Sequence, residues 1–300
     1  ERPEYFEKIR IGAAKRWDQL EADPELAGPW HQLFKQVQSP RHVLAELLQN
    51  ADDAGATDTS VQVEDGAFVF AHNGGDFIEE HFASLCRFGY SNKRALHTIG
   101  FRGIGFKSTF SLGDKVELHT PTLSVAFDRQ RFTETQWVSA PAGLRLTQVR
   151  VCLSDERRER EIRKNLEDWQ RSPLSLLFFK HIRRMRIGIE ELHWEKVGPG
   201  PVPIARSAPE AFTEECLSEI RQERQVSEEQ LAGFPPCTVE IVFGAKGQLF
   251  VVLPTGVDTA LPFACNAPFI QDPSRLKIKD PEISPTNRWL LERIGRLAAG

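Results

Sequence analysis

Apolar side chains recur every three to four positions over residues 4–20 and again over 29–38, where Trp30, Leu33 and Phe34 share one side. Both stretches are predicted to be amphipathic helices. A third helix is expected to open at Ser39-Pro40, with the serine as N-cap and the proline at the first helical position. It carries Val43, Leu44, Leu47 and Leu48 and stops at Gly55. The period then shortens to two. Residues 59–63 alternate, Ala67, Phe68, Val69 and Phe70 form an apolar run, and Asp65-Gly66 between them marks a two-residue hairpin turn.

A glycine-punctuated stretch runs from His72 to Phe110, interrupted by a helix near 79–86. Strands are predicted at 114–120, 123–128 and 144–153, and a highly charged helix at 154–171 whose i,i+4 pairs suit a solvated face. Proline and glycine crowd 198–209, which reads as a linker or long loop. Strands return at 238–243 and 248–253, and a helix closes the chain near 286–298. No internal repeat or low-complexity tract is present. This succession of helices and strands predicts an α+β protein of two domains, drawn at 1–170 and 171–300.

Composition narrows the class. The chain has 300 residues, 40% hydrophobic and 27% charged, which is ordinary globular usage. With 38 Lys and Arg against 42 Asp and Glu, the net charge of -4 excludes a globally basic nucleic-acid binder. The longest apolar run, at 174–179, is far short of the roughly 20 residues a membrane-spanning helix needs. The N-terminus opens on Glu1-Arg2-Pro3-Glu4, without a secretory signal and without Met, as expected of a fragment or processed chain. Five cysteines, Cys86, Cys152, Cys216, Cys237 and Cys265, are odd in number and never closely paired, which fits reduced thiols. A soluble cytoplasmic protein without membrane association is the expectation.

Candidate chemistry concentrates in two segments. In Glu46-Leu47-Leu48-Gln49-Asn50-Ala51-Asp52-Asp53-Ala54, the residues Glu46, Asn50 and Asp53 fall at i, i+4 and i+7 and so project from one side of the helix. An amide oxygen at Asn50 is a hard ligand suited to magnesium, which keeps several waters and takes few protein oxygens. A carboxylate at Glu46, one turn away, can orient or deprotonate a water. A solvated polar face is the bland alternative.

The second segment is Gly100-Phe101-Arg102-Gly103-Ile104-Gly105-Phe106-Lys107-Ser108. Its glycines allow close approach of the backbone, and residues 106–110 read as the first turns of a helix whose N–H groups would face an anion. Lys107 and Ser108 add a charge and a hydroxyl. The spacing G-x-x-G-x-G is neither the dinucleotide-binding pattern nor a P-loop. An ordinary turn is the alternative.

Together, the E-x-x-x-N-x-x-D-A helix, the glycine turn His72-Asn73-Gly74-Gly75 and the I-G-x-x-G-x-G-F run resemble the GHKL ATPase superfamily, which includes gyrase B, histidine kinases and MutL. They look most like the chaperone-like ATP-binding modules of sacsin-type proteins. The later Val252-Leu253-Pro254-Thr255 and Asn266-Ala267-Pro268-Phe269 fit that resemblance. It implies a two-layer α/β sandwich of Bergerat type, a mixed and largely antiparallel sheet covered by helices, followed by a second, transducer-like α/β domain. By similarity Glu46 is the general base and Asn50 the Mg2+ ligand, while Asp53 supports the water and phosphate network. Gly100, Arg102, Gly103, Ile104, Gly105, Phe106 and Lys107 would line the phosphates of ATP or ADP. Ser91 and Lys93 would belong to a mobile lid, Thr147 would reach the adenine amino group through water, and Arg275 would approach the γ-phosphate.

One position departs from the family's pattern. Members carry an Asp in a D-x-G turn that accepts from the adenine amino group; here the turn is His72-Asn73-Gly74, with Asp76 nearby. The resemblance implies slow hydrolysis coupled to lid closure and homodimerisation, with protein or nucleic-acid partners engaged through further regions. A degenerate nucleotide sensor or scaffold is the alternative from a different functional class.

Overall fold

A computed structural model describes residues 2–23, 25, 28, 40–87, 106–171, 173–193, 204–224, 227–272 and 277–300. The chain divides into two compact units. Of the described residues, the first takes in those up to 176 together with 180–193, and the second takes in 177–179 and those from 204 onward. The fold is α+β, with a largely antiparallel mixed sheet in each unit.

The first unit is built on eight strands: β1 (Asp58–Glu64), β2 (Ala67–His72), β3 (Lys115–His119), β4 (Ser124–Asp128), β5 (Thr135–Trp137), β6 (Thr147–Cys152), β7 (Arg184–Ile187) and β8 (Glu190–His193). Their order across the sheet is β5-β4-β3-β6-β2-β1-β7-β8, with β1 and β7 parallel and every other neighbouring pair antiparallel. The β1–β2 hairpin closes through Asp65 and Gly66, both at positive φ (50° and 69°), as a two-residue turn matching the right-handed strand twist requires. Across β1, β2 and β6 one face buries Val61, Phe68, Phe70, Val149 and Val151, while Gln62, Ala71, Gln148 and Arg150 on the other remain exposed or half-buried. A sheet covered on one face alternates in this way.

Helices α1 (Glu4–Ala22), α2 (Pro40–Asp53), α3 (Glu79–Leu85) and α4 (Glu156–Arg171) complete this unit. Phe6 of α1 packs on Phe82 of α3 and edge-on to Trp137, with ring centroids 5.7 and 5.2 Å away, and Trp17 donates to Thr133 Oγ1 at 2.8 Å. Helix α4 is the solvated helix expected: Ile162, Leu166 and Trp169 are buried, and Arg157–Glu161, Arg160–Glu156, Arg163–Glu159 and Arg171–Glu167 pair along its outside. The expected boundary at 170 cuts through this unit, because β7 and β8 extend its sheet to residue 193. The charge of Arg183, Arg184 and Arg186 hides a strand in which Met185 and Ile187 alone are apolar and buried.

The second unit carries β9 (Ile204–Arg206), β10 (Glu240–Phe243), β11 (Gln248–Val251), β12 (Leu253–Asp258) and β13 (Phe263–Asn266) in the order β12-β11-β13-β10-β9. Helices α5 (Glu214–Arg224), α6 (Glu228–Ala232) and α7 (Pro285–Ala299) accompany it. Its core joins Phe212, Cys216 and Ile220 to Ile241, Cys265, Phe269, Leu290 and Ile294. The sequence segments around 252–255 and 266–269 serve this core. Asn266 donates to Glu240 Oε2 at 2.7 Å and accepts from Val252 N at 2.7 Å, Thr255 Oγ1 donates to Leu249 O, and Phe269 is buried. The five cysteines are free thiols, and among the described residues no helix is long and apolar enough to cross a membrane.

Candidate functional site

Helix α2 is almost entirely enclosed. Val43, Leu44, Leu47, Leu48 and Ala51 are buried, and so are the polar Glu46, Gln49 and Asp52; Asn50 and Asp53 are half-buried. The solvated-face alternative therefore fails at Glu46, which is 5% exposed. Glu46, Asn50 and Asp53 share one side of the helix by its geometry. Asp52 does something the sequence reading missed. Its carboxylate accepts from the backbone N–H groups of Lys180, His181 and Ile182 at 3.1, 2.8 and 3.0 Å, pinning the segment that leads into β7. The signal was present in the spacing: Leu44, Leu48 and Asp52 continue one stripe at four-residue intervals, a carboxylate where an apolar residue is expected.

The C-terminal end of α2 meets the end of β2. Gly75 N donates to Ala54 O at 2.8 Å, and a Cβ on Gly74 would lie 3.0 Å from Ala54 Cβ, Ala54 O and His72 Nδ1, tighter than nearly all Cβ contacts. Glycine at 74 lets the strand end lie against the helix end.

At this end of the sheet the inner face changes character. In register, Val61, Phe70 and Val149 form one apolar row; the next row is Thr59, His72 and Thr147. All three are buried, at 5, 7 and 3% exposure. Thr59 donates to Arg184 O at 3.4 Å. His72 Nδ1 accepts from Gly74 N at 3.1 Å, and burial pushes the imidazole pKa down to about 4, so the ring is neutral near pH 7. Thr147 Oγ1 is buried and has no hydrogen-bond partner among the described residues. An unsatisfied buried hydroxyl is costly and needs an explanation, of which a ligand or an ordered water is the ordinary one.

The neighbouring side chains are committed elsewhere. Asn73 Oδ1 accepts from Thr57 N and Asp58 N at 2.9 and 3.0 Å, which ties down the start of β1. Asp76 accepts from Phe77 N at 2.7 Å, and its charge, with that of Glu79, adds to burial in raising the Tyr5 pKa.

The exit of the glycine run is a correction. Residues 106–111 form a six-residue 3-10 turn, not the opening of an α-helix, and all six side chains are buried against the unit, in part on α2. Phe106 packs edge-on to Phe127 at 5.4 Å. Lys107 Nζ donates to Arg87 O at 2.7 Å and lies 5.6 Å from the centre of the Phe132 ring. Burial lowers its pKa to about 8. Nothing in the pattern of Phe106–Ser111 signals that its lysine points inward. Ser91, Lys93, Gly100, Arg102, Gly103, Ile104, Gly105 and Arg275 lie outside the described residues, as do the expected helix at 29–38 and the cap at Ser39.

The structure thus brings His72 and Thr147 together and joins the end of α2 to the turn beside them. No family model matches the chain. Over 176 residues, 54% of the chain, it is 28% identical to the DNA mismatch repair protein MutL of Chlorobium chlorochromatii. It is 36% identical over 94 residues to Protein NO VEIN of Arabidopsis thaliana and 26% identical over 116 residues to human sacsin, 29% and 32% of the chain. The chain spans only 26, 3 and 2% of the lengths of these relatives. These likenesses suggest a GHKL-like relationship at most, at low identity and over part of the chain.

Proposed function

We propose that the first unit is a magnesium-dependent ATP-binding and hydrolysing module of the GHKL type. The observation that carries this reading is the polar row Thr59–His72–Thr147, closing an otherwise apolar sheet face, with a buried hydroxyl awaiting a partner. A purine fits the end of such a face: its ring covers apolar side chains, and its edge meets the polar row.

The residues of α2 suit the remaining chemistry. Asn50 would hold Mg2+ through its amide oxygen, which asks for few protein ligands when phosphates and waters complete the shell. When bound, the cation neutralises charge on the phosphates. Glu46 orients an attacking water and accepts its proton, and its burial keeps competing solvent away from the carboxylate. Asp53, further along the same side, steadies the water and phosphate network. The glycine run from Gly100 to Gly105 supplies backbone N–H groups to the phosphates, and the 106–111 turn packed in part on α2 anchors its exit. By the same resemblance, Ser91 and Lys93 would belong to the lid over the nucleotide. Nucleotide-driven closure and homodimerisation, coupled to further regions, follow from the same reading.

The test is titration with ATP and ADP in the presence of Mg2+, with phosphate release measured in parallel for the wild type and Glu46→Ala. Binding by both proteins, with turnover lowered about 10²–10⁴-fold in the variant, is the expected outcome. Binding without turnover by the wild type favours a nucleotide sensor, and absence of binding removes the ATPase reading in favour of a scaffold.

A further inference from the structure

We propose that His72 presents a donor, and Thr147 beside it an acceptor, to the edge of the nucleotide base, so that the site takes 6-oxopurine nucleotides at least as readily as ATP. The inference rests on the ATP-module reading and concerns the base alone.

The tautomer of His72 follows from its own turn. Gly74 N–H donates to Nδ1 at 3.1 Å, so that nitrogen carries the lone pair. A neutral imidazole has one donor and one acceptor, and with Nδ1 accepting, the proton resides on Nε2. Burial of the ring keeps it neutral well below pH 7. Among the described residues Nε2 has no hydrogen-bond partner. His72 therefore presents an N–H where a D-x-G turn would present a carboxylate.

Directly across the ladder stands Thr147, whose hydroxyl is also without a partner among the described residues. A buried hydroxyl without a partner and, beside it, an Nε2–H without a protein partner among the described residues form the hydrogen-bonding edge that a ligand would complement. The acceptors nearby in sequence do not replace the missing carboxylate. The Asn73 oxygen already receives two backbone N–H groups, and Asp76 receives Phe77 N and influences Tyr5.

An exocyclic amino group set against His72 Nε2–H would place two donors face to face. A purine with a carbonyl at that position accepts the bond instead, and its adjacent ring N–H can donate to the Thr147 oxygen. Hypoxanthine carries this pattern without a further amino group, which makes inosine triphosphate the cleanest probe.

The experiment is titration of the whole chain with Mg-ATP and Mg-ITP, for the wild type, His72→Asp and His72→Gln. The wild type is expected to bind ITP at least as tightly as ATP. Aspartate at 72 restores an acceptor and shifts the ratio toward ATP by about tenfold or more, the cost of one donor left unpaired in the complex. Glutamine can present either its oxygen or its N–H, so it brings the two affinities closer together and serves if the buried carboxylate prevents folding. A wild type preferring ATP tenfold or more overturns this inference while leaving the ATP-module reading intact. If the wild type binds neither nucleotide, both readings fall.

Discussion

Thr147 is a threonine in a row where valine would pack as well. Its neighbours along β6, Val149 and Val151, fill the same face with hydrocarbon, and its own hydroxyl is buried without a partner. Replacing it by valine keeps the shape and removes the unsatisfied group. Thr147→Val is expected to leave stability unchanged or to raise it by about 1 kcal/mol in urea unfolding without ligand, while weakening nucleotide binding. A loss of stability of similar size would show that the hydroxyl is satisfied within the fold. Such a trade of stability for function marks side chains kept for a ligand.

Helix α2 matters as an element because its sides do different work. One aligns Glu46, Asn50 and Asp53; another holds Asp52 against the amides of residues 180–182, and the C-terminal turn seats Gly74 and Gly75. A buried carboxylate accepting three N–H groups leaves all three unsatisfied when it is removed. Asp52→Ala is expected to destabilise the first unit by about 3 kcal/mol, with hydrogen-exchange protection lost first at Lys180, His181 and Ile182. Uniform loss across the sheet would argue against a local anchor. The helix itself was legible from its apolar spacing and its stop at Gly55, whose φ of 74° terminates it. The 180–182 contact was not, because it joins positions more than 120 residues apart in sequence.

The two units respond to acid in different windows. In the first, the His72 pKa lies at about 4 against an ordinary 6.5, so between those values the unfolded chain binds the extra proton. This contribution to stability is present above about pH 6.5, falls as the pH drops toward 4, and amounts to at most about 3 kcal/mol. In the second, Glu219 accepts from Lys279 Nζ, Ser284 Oγ and Thr286 N at 2.7, 3.1 and 2.8 Å. Burial alone would raise its pKa, but these bonds hold it below the usual carboxylate value. Its contribution is present above the ordinary carboxylate pKa and is lost as the pH falls through the lower folded value. The stability of the first unit is therefore expected to fall between pH 7 and 5 in the wild type and much less in His72→Gln. Glu219→Gln alters the second unit's acid response at lower pH. Amide exchange followed separately in the two sheets checks both, and identical profiles in wild type and variants would refute them.

The sequence by itself determined the elements whose signal is local: the α2 helix, the Asp65-Gly66 hairpin, the charged α4, the closing helix and the absence of paired cysteines. Spacing also identified Glu46, Asn50 and Asp53 as co-facial, because helical periodicity is a property of the chain alone. Tertiary structure decided the rest. Only strand register sets His72 beside Thr147, since pairing joins residues far apart in sequence and each one-residue slip would turn the side chain to the other face. Only packing turns Lys107 inward to Arg87 O and sends β7 and β8 into the first sheet. Burial and backbone partners, which no local pattern encodes, fix which nitrogen of His72 carries the proton.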